Sequence, residues 1–215
     1  MMSRLIRSLY DIAVTLLLWS YYTLGFLIIF SPFYLCAYLF SRNREQAFQG
    51  LNHVFYKGFF FLVRVLIPGV KWSISEDIPA IRSAVIVCNH ISYLDSILLI
   101  SLFKRHKTIV KSRFFNIPIF RRVIELSGYI PSSSNSELSD LIIRRLEEMD
   151  QFFASGGVLF AFPEGTRSRN GTIGPLHKGV FKIARRCRKP IHVLFIRNTG
   201  GLFQPGKFLF NTCFS

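Results

Sequence analysis

The chain predicts an α/β fold, a mostly parallel sheet flanked by helices, with an N-terminal membrane-embedded helix or helical hairpin. Three observations carry that expectation. From Ile12 to Phe40 the sequence runs 29 residues without a charge. Beyond Pro68-Gly69, short apolar runs alternate with helix-patterned segments, the order that produces βαβ units and a parallel sheet. Half of the 215 residues are hydrophobic and 23 are Phe, enough to bury a sizeable core.

The charge-free run would form a helix about 43 Å long, against a hydrocarbon core of about 30 Å. It is too long for a cleaved signal peptide, and no small-x-small cleavage site follows it. Pro32 leaves two arrangements open. Either one tilted helix spans, or Pro32 ends a first helix and the chain turns back as a hairpin. Arg4 and Arg7 flank one end, Arg42 and Arg44 the other, so the positive-inside rule selects no orientation. The next block, 51–70, sets His53, Lys57 and Arg64 at helical spacing beside a Phe-rich face, which reads as amphipathic and interfacial. Residues 1–69 are therefore expected to be membrane-anchoring helices and 70–215 a separate α/β domain. That domain is expected to fold without residues 1–40. The closing "KFLFNTCFS" suggests a final strand still to come.

Within the second part, "AVIVC" (84–88) reads as a buried strand followed by a helix over 93–103. A strand over 108–111 precedes a Phe-rich helix over 114–127, interrupted by Pro118. After a polar loop a helix begins at Ser136. Leu138, Leu141, Ile142, Leu146, Met149 and Phe153 hold one face of it until Gly156-Gly157. A strand over 158–162, a helix over 176–187 and a strand over 191–196 complete the alternation.

Lys and Arg outnumber Asp and Glu 27 to 12, a net charge of +15, which implies an anionic partner. The apolar N-terminus and the lack of a basic–aromatic array argue against nucleic acid. Lipid headgroups and an acidic substrate or carrier remain. Cys36, Cys88, Cys187 and Cys213 form no C-x-x-C pair and read as reduced thiols on the cytosolic side. His53, His106, His177 and His192 are scattered, so neither a metal nor another cofactor is expected.

In an open parallel sheet, ligands bind beyond the carboxyl ends of the strands, and two loops there carry chemistry. "NHISYLD" follows strand 84–88. Ser92 and Asp95 fit a helix capping box; alternatively His90 is a base and Asp95 its orienting carboxylate. Taken alone, the capping reading is the stronger. "PEGTRSRNG" follows strand 158–162 and brings Glu164, Gly165, Thr166, Arg167 and Arg169 into six residues. Glycine admits a ligand close to the backbone, and a guanidinium grips two phosphate oxygens at once. The glycosylation tripeptide Asn170-Gly171-Thr172 falls in this loop, so modification there is not expected.

Together these loops resemble the glycerolipid acyltransferase family, most closely the lysophosphatidic acid (1-acylglycerol-3-phosphate) acyltransferases. Its N-H-x-x-x-x-D motif stands as Asn89, His90 and Asp95, and F-P-E-G-T-R-S as Phe162 to Ser168, with Lys178-Gly179 trailing. Lys111 with Ile117-Pro118-Ile119-Phe120 resembles a second block, and Pro190 to Ile196 a fourth. The likeness covers roughly residues 70–200. It implies acyl-CoA or acyl-carrier protein as donor, a lysophospholipid acceptor, the membrane as location and a catalytic domain on its cytoplasmic face. It makes His90 the general base, Asp95 its partner, and Glu164, Gly165, Thr166, Arg167 and Lys111 substrate-binding residues. Acceptors other than 1-acylglycerol-3-phosphate stay open: another lysophospholipid or glycerol-3-phosphate. So does a non-catalytic lipid-binding role. One departure stands out. Many members carry an Arg shortly after the Gly preceding "GYIP", where this chain reads Pro131-Ser132-Ser133-Ser134, leaving a phosphate grip to Arg167, Lys111 or the serines.

A thioester is already activated, so no enzyme nucleophile is required, and no G-x-S-x-G elbow is present. On one continuous helix, residues five apart diverge by about 140°. His90 and Asp95 can therefore meet only if His90 precedes the helix.

Overall fold

The computed structural model describes residues 4–133, 137–168 and 172–213. Helix α1 (Arg4–Ser20), a π-helical stretch (Tyr21–Phe30) and α2 (Ser31–Phe40) join into one helix of 37 residues. The chain does not turn at Pro32. A proline inside a helix lacks one donor and crowds the preceding carbonyls, and the wider π turns directly before it accommodate both defects. The reversal comes instead after Phe40. Asn43 accepts from the backbone N–H of Gln46 and starts α3 (Arg44–Leu66). Contacts along the two helices show them antiparallel. The Tyr10 hydroxyl donates to Leu66 O (2.7 Å), that of Tyr21 to Phe55 O (2.7 Å), and that of Tyr34 to Asn52 Oδ1 (2.6 Å). The N-terminus is thus a helical hairpin with its turn beyond Pro32. Its first helix is long and apolar enough to cross a membrane. Leu17, Ile28 and Phe33 stand more than half exposed on it, which fits a lipid environment.

The α/β part is built on five parallel strands: β1 (Ala84–Cys88), β2 (His106–Val110), β3 (Ile130–Pro131), β4 (Val158–Ala161) and β5 (Ile191–Leu194). Their order is β3-β2-β4-β1-β5. All residues of β1 and β4 are buried, as continuous apolar runs require when both sheet faces are covered. One face carries α4 (Leu94–Leu102) and α5 (Pro118–Leu126), packed with Ile86, Cys88 and Phe160. The other carries α7 (Met149–Ala154) and α8 (Gly179–Arg186), packed with Val85, Val87 and Leu159. The single helix expected through Phe153 is two, because α6 (Ser139–Glu147) ends before α7 begins; its expected start at Ser136 lies outside the described residues.

The hairpin is welded to this sheet. Phe59, Phe60 and Val63 of α3 share a core with Leu94 of α4, with Val14 and Leu18 of α1, and with Phe203 and Phe210 after α9 (Thr199–Leu202). A buried polar chain runs deeper. Asn52 donates to Ser127 Oγ (2.8 Å) and to the Tyr129 hydroxyl (3.1 Å). His106 Nδ1 lies 2.7 Å from Phe103 O, a group that can only accept, so Nδ1 carries the proton. Nε2 then accepts from the Tyr129 hydroxyl at 2.7 Å. Burial pushes the His106 imidazole down to about 3 and holds it neutral.

Candidate active site

Strands β1 and β4 are direct neighbours, with Val87 opposite Ala161, so the two chemically distinctive loops leave the sheet side by side. Their backbones are laced together. Ser168 N–H donates to His90 O (2.7 Å), and His90 N–H donates to Glu164 Oε1 (3.1 Å). The other Glu164 oxygen accepts from Gly174 N–H (3.0 Å). Glu164 is 8% exposed, and its carboxylate holds the two loops in register. Asn89 clamps the end of β5, donating to Ile196 O (2.8 Å) and accepting from Ile196 N–H (2.7 Å).

His90 precedes α4, and its Nδ1 lies 3.0 Å from Asp95 Oδ2. Asp95 is fully buried. The same oxygen accepts from Ile91 N–H (2.7 Å) and Ser92 N–H (2.8 Å), while Ser92 Oγ accepts from Leu94 N–H (3.3 Å). The capping and the catalytic geometries therefore coexist in one carboxylate. Its second oxygen accepts from Thr199 Oγ1 at 2.5 Å. Four donors surround this buried carboxylate and offset the cost of taking it out of water. Phe162 stacks on the imidazole with centroids 4.2 Å apart and planes 23° from parallel. Pinned on one edge and one face, the ring directs Nε2 away from Asp95 along the cleft it lines.

That cleft encloses about 920 Å³. Tyr22 and Tyr56 of the hairpin, Ile97 of α4 and Phe120 of α5 make one wall apolar; Lys111, Arg113, Arg167, Lys178 and Lys182 line the remainder. Among the described residues no Asp or Glu lines it. The Arg167 guanidinium carbon sits over the Tyr93 ring, 3.3 Å from the centroid, and its buried Nη1 has no hydrogen-bond partner among the described residues. A buried donor left unsatisfied costs free energy that an anion in the cleft would recover. Gly165 and Thr166 line the same cleft; Gly165 is at φ +65°, and a Cβ there would crowd the His177 ring. Where the resemblance leads one to expect an Arg, Ser132 and Ser133 face the cleft, and Ser134 falls outside the described residues, as do Arg169, Asn170 and Gly171. Burial first, then the neighbouring Asp95 charge, push the Cys88 thiol up to about 12, so it stays protonated. Sequence reasoning missed Thr199, which comes from a segment with no helical pattern of its own; Phe162 and Tyr93 stood inside the two site loops but were given no role of their own.

Loops beyond the carboxyl ends of parallel strands, here around a cationic cleft, are where an α/β fold of this kind places its ligand site. Residues 69–197 match the family model described as acyltransferase. The chain belongs to the acyltransferase family. It is 33% identical over 140 residues to a chloroplastic 1-acyl-sn-glycerol-3-phosphate acyltransferase of Brassica napus, covering 65% of this chain and 39% of that protein. It is 32% identical over 143 residues to the corresponding chloroplastic protein of Arabidopsis thaliana, covering 66% of this chain and 38% of that one. The chain thus spans about two fifths of the length of these relatives. The crystal structure of the 1-acyl-sn-glycerophosphate acyltransferase PlsC of Thermotoga maritima superposes with a TM-score of 0.67 at 24% identity. That match covers 95% of this chain and 82% of the other, and shows the shared fold.

Proposed function

We propose that this chain transfers a fatty acyl group from a thioester donor, acyl-CoA or acyl-carrier protein, to the free hydroxyl of a lysophospholipid. The acceptor that fits best is 1-acylglycerol-3-phosphate, giving phosphatidic acid. The observation that carries this reading is the His90 imidazole, held through Nδ1 by a buried carboxylate and lining a cationic cleft with no acid among its described residues. His90 Nε2 takes the acceptor's hydroxyl proton as that oxygen attacks the thioester carbonyl. The tetrahedral intermediate collapses with loss of the thiolate, which recovers the proton from the imidazolium. Asp95 holds the tautomer and stabilises the imidazolium in between. Arg167 and Lys111 bind the acceptor's phosphate. Glu164 positions His90 through its backbone, and Gly165 and Thr166 keep the loop open to the ligand. Residues 1–69 hold the cleft at headgroup level and 70–215 carry the chemistry, on the cytoplasmic face where thioester donors and reduced thiols occur; all four cysteines are free. The names of the relatives support this acceptor.

The test is thiol release from each donor against a panel of lysophosphatidic acid, other lysophospholipids and glycerol-3-phosphate. Turnover with lysophosphatidic acid that disappears in His90→Ala is the expected result. Retained turnover in that variant removes His90 from the mechanism, and no thiol release with any acceptor leaves a lipid-binding role in its place.

A further inference from the structure

Tyr93 caps the start of α4, two residues before Asp95, and the two side chains leave opposite sides of the same turn. Asp95 is fully buried and turns in to His90, whereas Tyr93 is 50% exposed and lines the cleft. The turn beneath the ring is fixed. Asp95 accepts from the backbone N–H groups of Ile91 and Ser92, and Ser92 Oγ donates to Phe203 O (3.0 Å). Phe203, itself in the core shared by hairpin and sheet, also packs on the Tyr93 ring with centroids 6.3 Å apart. A half-exposed tyrosine so supported is a rigid surface rather than a mobile cover.

Arg167 arrives from the other loop, whose Ser168 N–H donates to His90 O. Its guanidinium carbon sits 3.3 Å from the centre of the Tyr93 ring. Among the described residues Arg167 forms no ion pair, and its buried Nη1 has no hydrogen bond. Glu164, the carboxylate three residues before it, is spent on the N–H groups of His90 and Gly174. An arginine serving only as surface charge would extend its head into water and satisfy its donors there. Here it folds onto a ring and leaves a buried donor unmet. A cation is attracted to the face of an aromatic ring, the more so where water is excluded, and that attraction holds the side chain in place. A long side chain already ordered in this way does not lose that freedom again when an anion binds.

We infer that Tyr93 is a positioning residue for the acceptor's phosphate: its ring clamps the Arg167 guanidinium in the cleft and so strengthens the grip on phosphate-bearing acceptors. The inference rests on the reading of Arg167 as the phosphate-binding residue. Tyr93 acts through its ring face and not through its hydroxyl.

The test is a double-mutant cycle on the full chain, Tyr93→Leu and Arg167→Ala alone and together. Lysophosphatidic acid in detergent micelles is the acceptor, with acyl-CoA or acyl-carrier protein at saturation, whichever wild type uses. Tyr93→Leu is expected to raise KM for the acceptor about fivefold, with kcat within about twofold. Tyr93→Phe, which keeps the ring, should stay close to wild type. In the Arg167→Ala background Tyr93→Leu should change KM by less than about twofold, since the group it clamps is gone. Losses that multiply in the double variant, a fall in kcat with KM unchanged, or a Tyr93→Phe as impaired as Tyr93→Leu would each overturn the inference. Should Tyr93→Leu fail to fold, Tyr93→Gln takes its place in the cycle. Binding of radiolabelled lysophosphatidic acid in the absence of donor separates the clamp from the catalytic reading. A fivefold weakening by Tyr93→Leu that vanishes in the Arg167→Ala background upholds the clamp even if no thiol is released. Binding that Tyr93→Leu leaves unchanged, or no binding by wild type, refutes it.

Discussion

His90 and Asp95 meet at 3.0 Å although five residues separate them, because the imidazole belongs to a turn and the carboxylate to the first turn of the helix that follows. Asp95→Asn keeps the shape but places an amide where the carboxylate accepts four hydrogen bonds. Activity should fall about 10²- to 10⁴-fold, with a lower melting temperature from the lost cap. Thr199→Val isolates one of those bonds, to the oxygen His90 does not use. It should cost about 1.5–3 kcal/mol of stability and much less activity. Comparable kcat losses in the two variants would show that Thr199, too, tunes the dyad.

Arg167→Lys keeps the charge but loses both the planar two-pronged grip and the stacking on Tyr93. KM for a phosphate-bearing acceptor should rise about tenfold with kcat little changed. Steady-state kinetics over an acceptor series decide it, and an unchanged KM would make Arg167 a loop-packing residue.

Glu164→Gln tests whether this buried carboxylate binds ligand or positions the loops. An amide can satisfy only one of the two backbone donors, from His90 and Gly174, and turns its own N–H toward the other. Stability should drop about 1–3 kcal/mol and kcat should fall while KM stays. A rise in KM alone would return Glu164 to substrate binding.

The neutral, buried His106 makes the fold sensitive to acid. Its folded value of about 3 lies below the ordinary 6.5, so between these limits the unfolded chain binds more protons. Its contribution to stability is therefore present above pH 6.5 and is lost progressively as pH falls toward about 3. Denaturation midpoints across that window should decline more steeply for wild type than for His106→Gln. Parallel declines would assign the acid sensitivity to other groups.

Because the strands and helices of the α/β part all lie beyond residue 70, the sequence leads to the expectation that it folds without 1–40. The packing supplies a reason to test this. Val14 and Leu18 are 1% and 0% exposed, Thr15 Oγ1 accepts from Phe210 N–H (2.9 Å), and Trp19 stacks on Phe208. Deleting 1–40 should abolish cooperative unfolding even in detergent, and Leu18→Ala alone should cost about 2–5 kcal/mol. A truncated protein that still melts cooperatively and turns over detergent-dispersed acceptor would show that the first helix is only a tether.

What the sequence determined by itself is what local pattern and short spacing encode. Continuous apolar runs named the buried strands, alternation with helices named the parallel sheet, and the glycine, arginine and histidine loops named the strand ends where ligand chemistry gathers. Periodicity does not say how a long helix passes a proline, and it left a turn at Pro32 open beside one continuous helix because the compensating π turns leave no composition signal. It also cannot say which of two compatible hydrogen-bond sets a carboxylate adopts; only the fold revealed that Asp95 caps α4 and holds His90 together. Thr199 reaches Asp95 from 104 positions away, and Glu164 joins His90 to Gly174 across two loops. Such contacts are decided by tertiary structure because they arise where distant strand ends become neighbours, and a linear pattern records the strands but not which of them lie side by side.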